Sequence, residues 1–142
     1  MKIKIPSEIE IYIHDISDET DPIFKEYGFD IKRDIKKNKL SERDIQRILL
    51  DITEFLNNVP IVVALYATTG NQFIAMKMRV KDDNKGKRGG IRVILLLIFD
   101  VALHVIPVHL YFKSGKNAKK DLTATEQNRL RNLLDELSKS EN

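Results

Sequence analysis

The stretch Ile91 to Phe99, Ile-Arg-Val-Ile-Leu-Leu-Leu-Ile-Phe, is apolar at every position except Arg92. Nine residues are far too few to cross a bilayer, and a short apolar run without alternation reads as a central strand covered on both faces. Directly before it stands Lys85-Gly86-Lys87-Arg88-Gly89-Gly90, too polar and glycine-rich to be anything but a connecting turn. A basic turn running into a buried strand, with an arginine at the junction, suggests cations held rigidly beside an open surface. Such a surface suits a polyanion.

The neighbouring segments fit this arrangement. Phe73 to Val80 alternates, with Phe73, Ala75, Lys77 and Arg79 on one face and Ile74, Met76, Met78 and Val80 on the other. The second face is wholly apolar and is the expected core side, so Lys77 and Arg79 project together from the opposite one. Val101 to Phe112 is the next strand, with Pro107 implying a bulge or an edge. Strict alternation puts His104 and His109 on opposite faces unless the bulge changes the phase, and both read as ordinary strand residues. Lys113 to Lys120 forms a second basic loop. Between residues 72 and 120 stand eleven Lys and Arg against three acids, a balance of +8, which leaves −5 for the rest of a chain whose net charge is +3. Segregation of this kind is an electrostatic footprint for nucleic acid.

The remaining elements follow from caps and periodicity. Ile3 to Ile16 has a period-two pattern rich in isoleucine and reads as a strand, broken at Pro6, with His14 exposed to solvent. Asp21-Pro22 opens a short helix whose apolar face is Ile23, Phe24 and Tyr27, and a second runs from Asp30 to Lys37. Ser41, with Asp44 three residues on, caps the clearest helix, which Ile45, Ile48, Leu49, Ile52, Phe55 and Leu56 mark with one buried face. Ile61 to Tyr66 is a short strand or core segment, and Thr68 to Asn71 a turn. Thr123 and Glu126 form a second capping box, before a helix with a narrow stripe of Leu130, Leu133, Leu134 and Leu137 and a tail, 138–142, expected to fray.

At 142 residues and 42% hydrophobic, the chain fits a single domain, residues 1–142, of α+β class. It has no cysteine, which excludes disulfides and thiolate metal sites. There is no P-loop, no Gly-x-Gly-x-x-Gly after a strand and no ligand cluster, so no cofactor or metal is expected. The N-terminus lacks the apolar run of a signal peptide, and a cytoplasmic location without membrane association follows as the expectation.

Four segments, Lys77-Met78-Arg79-Val80, Lys85 to Ile94, Leu110-Tyr111-Phe112-Lys113 and Asp121-Leu122-Thr123, occur in an order and spacing that resemble type II toxins of the RelE superfamily, in particular its HigB-like branch. The resemblance covers residues 73–137, about half the chain, and Lys-Gly-Lys-x-Gly-Gly-x-Arg is its most specific part. Residues 1–39 form an extended N-terminal region beyond what compact members need. The resemblance implies a small RNase fold: an antiparallel curved sheet of four to five strands, two or three N-terminal helices and one C-terminal helix. It further implies an mRNA interferase that cleaves ribosome-bound mRNA, inhibits translation and is neutralised by a cognate antitoxin with a helix-turn-helix, through which alone the pair contacts operator DNA. Carried over position by position, the catalytic cations are Lys77, Arg79, Arg92 and Lys113. Many similar proteins carry tyrosine after Arg-Val-Ile, where this chain has Leu95, and the Gly-rich approach to the Lys77 strand is reduced to Thr69-Gly70.

Cleavage through 2′-OH attack needs a base, stabilisation of a dianionic phosphorane and protonation of the leaving 5′-oxygen. Lys77, Arg79 and Arg92 can supply the second as fixed charges. Lys77, crowded by the two arginines, is the candidate base, and Lys113 or Tyr111 the candidate acid, with strand alternation expected to bring only one of the two to the active face. Lys81, Lys85, Lys87, Arg88, Lys116 and Lys119 are the expected RNA contacts of the two basic loops. The product would carry a 2′,3′-cyclic phosphate, and the enzyme would be a metal-independent endoribonuclease. Two other classes fit the same residues: a non-catalytic basic module that binds nucleic acid or an acidic protein, and a ParE-like topoisomerase inhibitor.

Overall fold

A computed structural model describes residues 1–16, 20–80, 90–113 and 118–140. The elements are β1 (Lys2–Lys4), β2 (Ile11–Ile13), α1 (Pro22–Glu26), α2 (Ile31–Lys37), α3 (Glu42–Asn58), β3 (Ile61–Ala67), β4 (Phe73–Val80), β5 (Ile91–Phe99), β6 (Leu103–Phe112) and α4 (Ala124–Ser140). The strands form one sheet in the order β1-β3-β4-β5-β6-β2. The α+β class is as expected, with three helices before the main hairpins and one after. The sheet has six strands rather than four or five, and it is mixed, because β2 runs parallel to β6.

The helices begin where their caps dictate. Asp21 accepts from the Ile23 amide with Pro22 at the first helical position, and Asp30 accepts from the Arg33 amide. Ser41 and Asp44 form a reciprocal capping box on α3, and Thr123 and Glu126 do the same for α4.

The alternating N-terminal segment is two strands, not one. Pro6 cannot donate to a ladder, and pairing along β3 stops after the Ile5 amide bonds the Pro60 carbonyl at 2.7 Å. β1 lies on the outer edge at β3, whereas β2 lies on the opposite edge at β6. Seven residue steps join Lys4 to Ile11 and reach at most about 25 Å, less once the turn from Pro6 to Ile9 is taken out. A flat six-stranded sheet would separate those edges by about 24 Å. The sheet therefore curls, bringing its edges toward one another around α3.

Two cores result, one on each face. Inside the curl, Ile48, Ile52 and Leu56 of α3 pack on Ile74, Met76, Met78, Val80, Val93, Leu95 and Leu97. On the other face, Leu130, Leu133 and Leu134 of α4, with Phe24 and Phe29, pack on Phe73, Ala75, Ile94, Leu96, Val108 and Tyr111. Both faces of β5 are buried, as its composition requires. The face carrying Lys77 and Arg79 is thus open only from residue 77 onward, because α4 covers Phe73 and Ala75.

Pro107 marks a bulge. Leu95 pairs with Pro107 but Ile94 pairs with His109, so Val108 is the extra residue and the phase shifts. This overturns the opposite-face expectation: His104, paired with Ile98, and His109, paired with Ile94, share the α4 face. They remain far apart along β6. His104 sits 3.3 Å from His14, whereas His109 is buried elsewhere.

Candidate nucleic-acid interface

Register brings the predicted cations together. Across the β4–β5 hairpin Arg79 stands directly opposite Arg92, Lys77 pairs with Ile94, and Arg92 pairs in turn with Tyr111 of β6. Lys77, Arg79, Arg92 and Tyr111 therefore share one face, beyond the apolar residues that α4 covers. Like charges directly opposed in a sheet are destabilising, so this pairing is not explained by folding.

Gly90 gives the pair its shape. Its φ is +84°, and a Cβ there would lie 3.0 Å from Arg92 Nη1 and 3.5 Å from Arg79 Nε. Both guanidinium groups thus rest against the last glycine of the turn, which is required by backbone conformation and by space. Arg92 Nη1 is buried and, among the described residues, has no hydrogen-bond partner. Neither arginine has a carboxylate within ion-pair distance among the described residues. A buried donor of this kind is costly unless something accepts from it.

Lys77 differs from its expected setting. Its Nζ lies 3.3 Å from Asp121 Oδ1, so its nearest charged partner is a carboxylate rather than the two arginines. The same oxygen accepts from the Leu122 amide at 2.8 Å and from the Tyr111 hydroxyl at 3.4 Å. The Leu122 bond, reinforced by Lys77 and Tyr111 against a burial penalty, holds the Asp121 carboxyl below its ordinary value. Burial, then the charge and hydrogen bond of Asp121, push the Tyr111 phenol up to about 12. Tyr111 therefore keeps its proton at neutral pH, and it is the leaving-group candidate that strand pairing places on the cationic face. Lys113, exposed and just past the end of β6, reaches the same corner through its backbone, whose amide donates to the Gly90 carbonyl at 3.3 Å. Two residues apart, positions 111 and 113 share parity, so alternation does not choose between them.

Lys119 is engaged by partners within the protein, with its side chain 27% exposed. Its ammonium bonds Glu126 Oε2 at 2.5 Å and His109 Nε2 at 2.8 Å, and lies 4.9 Å from the centre of the Tyr111 ring. An ammonium only donates, so His109 Nε2 accepts and its hydrogen is on Nδ1, which donates to Asp34 Oδ2 at 2.7 Å. Asp34 Oδ2 also accepts from the Leu110 amide at 3.3 Å, closing the part of the β6 edge that β2 leaves unpaired. Burial pushes the Glu126 carboxyl up, but the Lys119 bond, the Thr123 amide and the charge of Lys119 outweigh it and hold the group below its ordinary value. His109 is thus a buried link between α2, β6 and α4, not an ordinary strand residue. The signal for it was Pro107, whose bulge shifts the phase and turns His109 and Tyr111 to the α4 face. Asp34 had none, being 75 residues away in the chain.

Lys81, Lys85, Lys87, Arg88 and Lys116 lie outside the described residues. Among the described residues no group of three His, Asp or Glu could hold a metal ion, and no helix is long and apolar enough to cross a membrane. The arrangement can do one thing well: hold an anion between two guanidinium groups at the edge of a rigid hairpin, with a lysine and a protonated phenol beside it. Comparison of the chain with protein-family models, with curated proteins and with solved structures finds no match.

Proposed function

We propose that the chain is a toxin of the RelE superfamily, close to its HigB-like branch: a metal-independent endoribonuclease acting on ribosome-bound mRNA and neutralised by a cognate antitoxin. The observation that carries this reading is the directly opposed pair Arg79 and Arg92 at Gly90, with a buried donor that has no partner among the described residues. A phosphodiester supplies the missing acceptor, and the same two charges would stabilise the phosphorane formed when the 2′-oxygen attacks. Lys77 lies beside them and can take the 2′-OH proton once it has passed one of its own to the Asp121 carboxylate that it contacts. Tyr111, protonated at neutral pH, is a donor for the departing 5′-oxygen. Leu95, where similar proteins carry tyrosine, is fully buried on the α3 side, so that departure leaves the cationic face unaltered.

The test is inducible expression of the parent and of the double variant Lys77→Ala with Arg92→Ala. The parent is expected to arrest growth and leave 2′,3′-cyclic phosphate ends on ribosome-bound mRNA. The variant should lose cleavage by about a hundredfold or more, as removal of transition-state donors does; undiminished toxicity would sink the proposal.

A non-catalytic RNA binder is the second reading, favoured by one observation: Lys77 is already tied to Asp121. A binder would shift RNA in a salt-sensitive way and yield no new fragments, even with ribosomes present.

A further inference from the structure

The outer face of β3 carries a row of aliphatic side chains that nothing in the fold covers. Val62 and Ala64 point into the α3 core, while Ile61 and Val63, the alternate residues, and Leu65, the extra residue of a bulge against β4, are 47%, 61% and 39% exposed. Cross-strand pairing sets Lys4 directly beside Ile61 and Lys2 directly beside Val63. On the other flank β4 brings Arg79 on the same face. Scattered exposed aliphatics are ordinary, but three consecutive outward positions of one strand, bordered by cations on both sides, form a contiguous surface of defined character.

Its shape is equally specific. α4 covers this face of the sheet over β4 and β5, and ends its cover at Tyr66, whose hydroxyl bonds Gln127 and whose ring carries Arg131 at 4.8 Å. β1 and β3 form a step beside that helix. Two strands are about 10 Å across, the width of one helix, and packed helices lie about 8 to 10 Å apart. The row from Ile61 to Leu65 is about 13 Å long, matching about nine helical residues.

We propose that the outer face of β1–β3 docks an amphipathic helix of a partner protein, laid alongside α4, with an apolar seam on Ile61, Val63 and Leu65 and acidic flanks facing Lys2, Lys4 and Arg79. A second copy of the chain is disfavoured, since it would oppose its own Lys2 and Lys4 to themselves. Nucleic acid bases need aromatic platforms to stack on, and the row is aliphatic. A flat lipid surface does not reach into a step beside a helix. Aliphatic anchors between complementary charges are how helix-in-groove recognition obtains both affinity and choice of partner. The inference stands whether or not the chain cuts RNA.

The test uses the full chain and two synthetic helical peptides. One has leucine at every third or fourth position with glutamate on both sides; its twin has lysine for every glutamate. Fluorescence anisotropy should show the acidic peptide binding at least about tenfold more tightly than its twin. Val63→Asp, an exposed position whose circular dichroism should be unchanged, is expected to weaken the acidic peptide by about tenfold or more, and Lys2→Glu with Lys4→Glu to reverse the preference. Arg92→Ala, on β5 and two strands away from the row, should bind the acidic peptide like the parent, which separates this result from the cleavage test. The proposal is overturned by equal binding of the two peptides or by indifference to Val63→Asp. It is overturned equally if Val63→Asp abolishes a concentration-dependent dimer, capture by phosphatidylglycerol vesicles, or binding of single-stranded RNA in place of peptide binding.

Discussion

The two faces of the sheet use the same strands in different ways. Toward α3, β4 and β5 present one unbroken apolar set, from Ile74 to Val80 and from Val93 to Leu97, and every member is buried. Toward α4 the same strands change character halfway: Phe73, Ala75, Ile94 and Leu96 are covered, then Lys77, Arg79 and Arg92 follow on the uncovered remainder. Because successive side chains point to opposite faces, one face can be given wholly to folding while the other carries charge that folding alone would select against.

Substitutions on the two faces should differ in sign as well as size. Leu95→Ala, in the closed core, is expected to cost about 3 to 5 kcal/mol in urea unfolding; a loss under about 1 kcal/mol would mean the α3 face is not the main core. Glu126→Gln is intermediate, about 1 to 3 kcal/mol at neutral pH, since it removes a charged acceptor from Lys119 and the Thr123 amide. The folded Glu126 carboxyl titrates below its ordinary value of 4.5, so its contribution is present above that pH and fades as pH falls through the folded-state value. The variant should therefore show a flatter loss of stability on acidification than the parent, measured by thermal melts from pH 6 downward. Arg79→Ala should do the opposite of both, raising stability by about 0.2 to 1 kcal/mol through relief of the Arg79–Arg92 opposition, while weakening RNA binding. A destabilised Arg79→Ala protein would remove the contrast between the faces.

What could be read from the chain alone was local. The Ser41–Asp44 and Thr123–Glu126 boxes, Asp21-Pro22, the alternation of β4 and the double-sided burial of β5 are each set within a few residues, and each is found as expected. The grouping of Lys77, Arg79 and Arg92 was legible because hairpin register follows from alternation. The rest depends on long-range pairing. Nothing near Pro6 indicates that β1 and β2 belong to opposite edges, and the phase change at Val108 is decided by how β6 fits against β5. Asp121 meets Lys77 only once α4 has folded back, and Asp34 finds His109 only once α2 has closed the edge of β6.

The placement of β2 also bears on how the protein forms. Ile11 pairs with Leu103, so β2 joins the sheet only through a partner strand 92 residues further along the chain (103 − 11). During synthesis that segment must wait until β6 has emerged, and closing so long a loop is slow. Until then Leu103 to Val105 of β6 has no neighbour on that side, and both the outermost strand and its partner present free backbone edges. Helices α1 to α3 can assemble early; completion of the sheet is a late event, and it is the interval in which the nascent protein is most exposed to mispairing.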